Sequence, residues 1–121
     1  MNENTEKLLR YLAYSYSKKK YELHTTVILT NVVTFSADGF TIGCVTFVRP
    51  LCYLHEYVHG IDLFMSRFKN HLNRCGKRPV AYIDRGNFEI EFFRDGLAEL
   101  HLAPKIHHEL EQCANQLNER F

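Results

Sequence analysis

Between Thr5 and Tyr16 the apolar residues Leu8, Leu9, Leu12 and Tyr16 recur every three or four positions, with Tyr11 beside them. That spacing predicts a helix over about 4–17, with Thr5 as a candidate cap. Lys18, Lys19 and Lys20 follow, where cations suit the negative end of a helix dipole. The period then changes. YELHTTVILTNVVTF (21–35) and FTIGCVTFV (40–48) are rich in β-branched residues, and SADG (36–39) between them has turn composition, so the segment reads as a β-hairpin.

The strongest periodic signal comes next. Leu51, Leu54, Val58, Ile61, Met65, Phe68 and Leu72 form one apolar stripe, with Pro50 suited to a first helical turn and Gly76 to a C-terminal stop. One helix over 51–74 is predicted. PVAYID, NFEIEFF and LAELHLA read as three strands joined by RG and RDG turns. Glu89 and Glu91 alternate with Phe88, Ile90 and Phe92, so one face is wetter. Pro104 opens a last helix lined by Ile106, Leu110, Cys113 and Leu117. The order α-β-β-α-β-β-β-α implies a single α+β domain over 1–121, an antiparallel sheet packed by a long central helix and terminal helices.

Bulk properties narrow the function classes. With 15 Lys+Arg, 14 Asp+Glu and a net charge of +1, no overall field draws the chain to nucleic acid or an anionic membrane. No stretch approaches the ~20 apolar residues of a membrane span, and no signal-type apolar run opens the chain. Cys44, Cys52, Cys75 and Cys113 form no C-x-x-C pair and read as reduced packing residues. The expectation is a soluble, intracellular (cytoplasmic) protein. Lys18–Lys20 and the cluster Arg67, Lys69, Arg74, Lys77 and Arg78 leave weak nucleic-acid binding as a minor reading.

One stretch names a chemistry. LHEYVHG (54–60) holds H-E-x-x-H, and on a helix residues four apart project to one side. His55 and His59 would then reach one zinc ion, and Glu56 would take a proton from the metal-bound water. By helical projection the two rings fall at the edge of the apolar stripe, where a cleft can reach them. The ten residues Cys52–Ile61 resemble the active-site helix of the zincin metallopeptidases. That resemblance implies His55 and His59 as ligands and Glu56 as general base.

The third ligand follows neither family pattern. Gly60 directly follows His59, and His71 lies far along the same predicted helix. Glu99, Glu109 and Glu111, with His101, His107 and His108 as nitrogen donors, are the candidates, and Glu99 is taken with His55 and His59 as the metal set. His107 and Glu111, one turn apart, also form a possible pair.

Seven tyrosines and nine phenylalanines exceed what one buried face needs. Tyr11, Tyr14, Tyr16, Tyr53 and Tyr57 are the candidate interface residues, because tyrosine presents an apolar body with a polar tip. The leading expectation is a small non-enzymatic protein-binding protein, regulatory or inhibitory, acting on another protein or a second copy of itself. The alternative is a small zinc hydrolase.

Overall fold

A computed structural model of the chain describes residues 2–42, 45–76, 80–93 and 96–120, without the side chains of 35, 36 and 45–47. Gly43, Cys44, Lys77, Arg78, Pro79, Arg94, Asp95 and Phe121 lie outside the described residues. Parts of the expected second strand, the second basic cluster and the RDG turn fall on them.

The first helix, α1, runs Glu3–Leu12 and is shorter than the spacing predicted. Its cap is Asn2 and not Thr5: the Asn2 Oδ1 accepts from the Thr5 amide at 2.8 Å and from the Thr5 hydroxyl at 2.9 Å. The chain then reverses through a turn with Lys19 at φ 54 and forms a small hairpin, β1 (Tyr14–Ser15) with β2 (Lys20–Tyr21). The lysine run is therefore a hairpin turn and not a helix end. Helix α4 (Pro104–Asn118) holds this hairpin in place: the Asn118 side-chain amide donates to the Tyr21 carbonyl at 2.8 Å and accepts from the Tyr21 N–H at 2.7 Å.

The expected hairpin divides. β3 (Thr26–Leu29) leaves it to pair with a late strand, and only β4 (Val33–Ser36) and β5 (Gly39–Ile42) pair with each other. Gly39, at φ +130, makes the β4–β5 turn. A Cβ there would lie 2.7 Å from the Gly76 carbonyl oxygen, so no larger residue fits.

The predicted long helix is two. α2 spans Val45–His59, beginning five residues before Pro50, which sits inside it. Residues 45–48, read as strand from their β-branched content, are helical. Val48 extends the buried stripe of Leu51, Leu54 and His55, and that tertiary fit outweighs local propensity. The helix stops at Gly60, which takes φ +77 and donates its N–H to the Glu56 carbonyl at 2.7 Å. After a corner at Ile61–Leu63, α3 (Phe64–Cys75) starts, its first N–H bonded to the Asp62 carboxylate at 3.2 Å. The corner shifts the helical phase. Phe64, Phe68 and Leu72 are buried, whereas Ile61, a member of the predicted stripe, is exposed.

The three late strands form as expected: β6 (Tyr82–Asp84), β7 (Phe88–Phe92) and β8 (Ala98–Leu102). With β3 they make an antiparallel four-stranded sheet in the order β3-β8-β7-β6. Alternation decides its faces. Phe88, Ile90, Ala98, Leu100 and Leu102 point inward and join the buried faces of the helices in one core. Thr26, Ile28, Ile83, Glu89, Glu91, Glu99 and His101 have the opposite parity and line an outer face that stays partly or fully exposed. The described residues form a single-domain α+β fold of four helices and antiparallel sheets. Among the described residues no helix is long and apolar enough to cross a membrane.

Candidate functional site

Two groups of histidines and carboxylates stand out, at opposite faces of the sheet's architecture. The first is the H-E-x-x-H corner at the end of α2. His55 belongs to the buried stripe and is 2% exposed, so the edge position expected from helical projection is corrected to an interior one. Its Nδ1 lies 3.1 Å from the Ile61 carbonyl oxygen. A carbonyl only accepts, so Nδ1 carries the proton and Nε2 is left with its lone pair. That Nε2 is shut off from solvent and makes no hydrogen bond. Burial, and secondarily the neighbouring His59, hold the His55 imidazole below its ordinary pKa.

His59 sits one turn on, its ring centroid 4.4 Å from that of His55. Its Nε2 is 2.7 Å from the Asp84 carboxylate at the end of β6. Glu56 faces elsewhere: its carboxylate accepts from the Asn4 side-chain amide of α1 at 2.9 Å. The three motif residues thus take three directions, toward the core, toward β6 and toward α1.

Glu99 does not join His55 and His59. It stands on the outer sheet face with Glu91 and His101, and among the described residues these three bring ligand atoms within 4.8 Å of one another. Cross-strand register explains the grouping. Glu91 lies directly opposite Glu99, and His101 is one pleat along β8 on the same side. The His101 Nε2 is 3.2 Å from Glu91 Oε1 and 3.4 Å from Glu99 Oε2, and Nδ1 is 3.1 Å from the Thr26 hydroxyl. The matching parity of Glu89, Glu91, Glu99 and His101 on adjacent predicted strands was the available signal. The register that sets Glu91 against Glu99 was not.

The remaining candidates are engaged separately. Glu109 accepts from the Tyr57 hydroxyl at 2.8 Å. Burial and that bond raise the Tyr57 pKa. His107 donates to the Leu23 carbonyl at 3.2 Å and lies 3.9 Å from Glu111, the pair expected from their spacing. His71 donates to the Val80 carbonyl at 2.8 Å. Lys18 and Lys20 both pair with Glu22, at 3.3 and 3.1 Å, which neutralises part of the basic run. Cys52, Cys75 and Cys113 are free thiols, and burial pushes Cys52 up to about 11, away from nucleophilic use.

Four of the five candidate tyrosines meet in two pairs. Tyr11 stacks on Tyr53 across the α1–α2 seam with centroids 6.0 Å apart, and Tyr14 meets Tyr16 edge-on at 4.9 Å. Tyr11 is 48% exposed and Tyr16 80%, whereas Tyr14, Tyr53 and Tyr57 pack partly against the core. A groove of about 330 Å³ runs along the seam, lined by Asn4, Thr5, Tyr53, Glu56 and Tyr57 among others.

Comparison with protein-family models, with curated proteins and with solved structures finds no match to this chain.

Proposed function

We propose that this chain is a non-enzymatic protein-binding domain that docks through the tyrosine-bearing surface of α1, β1 and α2. The observation that carries this is the stacking of exposed Tyr11 on Tyr53 beside the α1–α2 groove. Stacking fixes a large amphipathic ring before a partner arrives, so less side-chain entropy is lost on docking. Tyr16 adds a second exposed ring, and the groove's Asn4, Glu56 and Tyr57 supply polar groups for a partner's backbone.

The zinc-hydrolase alternative has less support. A peptidase needs both rings and the glutamate to face one space. His55 is interior, His59 pairs with Asp84, and Glu56 is turned toward Asn4.

Site-specific photo-crosslinking in the native host tests the proposal. A photoreactive amino acid at position 11 or 16 is expected to trap a discrete protein adduct. One at Lys105, exposed at the start of α4, is expected to trap none. An adduct of twice the chain's mass identifies the partner as a second copy. Equal adducts at all three positions, or none at any, refute the proposal.

A further inference from the structure

We infer that the outer face of the four-stranded sheet carries a divalent transition-metal site, with zinc as the natural occupant, held by His101, Glu91 and Glu99. The inference is independent of the protein-binding proposal, because these residues come from the chain alone and lie on a different surface.

Three observations converge on it. The first is the donor set. One imidazole nitrogen and two carboxylates from neighbouring strands come within 4.8 Å of one another, a mixed nitrogen–oxygen set that suits zinc better than the all-oxygen preference of calcium or magnesium. The second is the state of the His101 Nε2. It is shut off from solvent and makes no hydrogen bond, although two carboxylate oxygens stand at 3.2 and 3.4 Å. Neither oxygen lies where a ring N–H would point. The distances fit a shared ion better: ligands bound at ~2.1 Å around a tetrahedral zinc are separated by roughly 3.4 Å.

The third observation is electrostatic. Glu91 and Glu99 are direct cross-strand partners, and like charges placed opposite each other destabilise a sheet. A cation between them reverses the sign of that contact.

The Thr26 hydroxyl completes the arrangement. At 3.1 Å from the His101 Nδ1, it can accept that ring N–H, the arrangement that would leave the Nε2 lone pair for the metal. Thr26 is a positioning residue. Three protein ligands leave a fourth position open for water or for a donor from another molecule.

Calorimetric titration of the chelator-stripped full chain with zinc chloride tests the site. One zinc per chain is expected, with cobalt substitution giving the intense visible absorption of tetrahedral coordination. Glu99→Gln, Glu91→Gln and His101→Ala are each expected to abolish stoichiometric binding. Thr26→Val weakens it roughly tenfold. His59→Ala leaves it unchanged. The glutamine variants are nearly isosteric and keep the test valid should His101→Ala fail to fold, with circular dichroism as the check. No stoichiometric binding by the unmodified chain overturns the inference. So does binding that is lost with His59→Ala and kept with Glu99→Gln, because the ion would then sit at the H-E-x-x-H corner.

Discussion

The corner at His55 and the outer face at His101 use the same residue types to opposite ends. At the corner a contiguous heptapeptide brings two imidazoles and a glutamate together in sequence; the fold keeps the two rings side by side but gives them different partners, Ile61 and Asp84, and turns the glutamate away toward α1. On the sheet three residues from two strands, eight and two positions apart, form no motif in sequence, and the fold brings them together. The difference follows from what each element does with direction. A helix turns 100° per residue, so Glu56 cannot share the direction of His55, and the buried stripe claims His55 for the core. A sheet keeps alternate residues on one face and sets neighbouring strands within side-chain reach, so donors accumulate there without any local motif.

Replacing His55 is the largest test of this contrast. His55→Ala opens a cavity in the core and leaves the Ile61 carbonyl without its donor, which should cost about 2–4 kcal/mol in denaturant unfolding. The equivalent change at the outer face, His101→Ala, is expected to cost less than about 1 kcal/mol in metal-free protein, because His101 is partly solvated. Equal costs at the two positions would break the distinction between a structural and a ligating histidine.

The pH dependence sharpens it. The folded state holds the His55 imidazole below its ordinary value near 6.5, first through burial and then through His59. The unfolded chain therefore takes up the proton more readily. Stability due to this group is retained above about 6.5 and falls as pH drops from there through the folded-state value. Unfolding midpoints of His55→Leu, compared with the unmodified chain over that window, should show a shallower acid slope. Parallel slopes would mean that His55 does not govern this part of the profile.

How far the sequence disclosed all this depends on the range of the interactions involved. α4 and the strands over 82–84, 88–92 and 98–102 follow directly from periodicity, since each buries one face over its own length. The break at Gly60 was written locally, in a glycine followed by Asp62, but the continuous stripe from Leu51 to Leu72 concealed it. Burial puts Phe64 fully in the core and leaves Met65 partly buried against it. The pairing of β3 with β8 joins residues more than sixty positions apart, and nothing near Thr26 encodes it. The same long-range register places Glu91 against Glu99, which is why Glu99 and His101 were legible as separate donors while Glu91, and the grouping of the three, were not.

Gly60 offers a test of intermediate size. It separates α2 from α3 at φ +77, with no neighbouring atom within 4 Å of an added Cβ, so Gly60→Ala isolates backbone strain from steric clash. A loss of about 1–2 kcal/mol is expected in equilibrium unfolding. A neutral result would mean that the corner tolerates a continuous helix, and with it a different direction for His59.

The smallest effect carries the most specific sign. In metal-free protein, Glu99→Gln removes one of two carboxylates held directly opposite each other. Stability should rise by roughly 0.2–1 kcal/mol. With saturating zinc the order should invert, because binding to the folded state adds stability to the unmodified chain and none to the variant. Neither change alone is diagnostic: neutralising a surface charge often stabilises a protein, and removing a polar contact often destabilises one. The reversal between the two conditions requires the same carboxylate to be repelled by its neighbour when the site is empty and to be bound to a cation when it is filled. No substitution at the His55 corner is expected to reverse in this way, since its cost comes from packing and an unmet hydrogen bond, which zinc on the opposite face of the sheet does not alter.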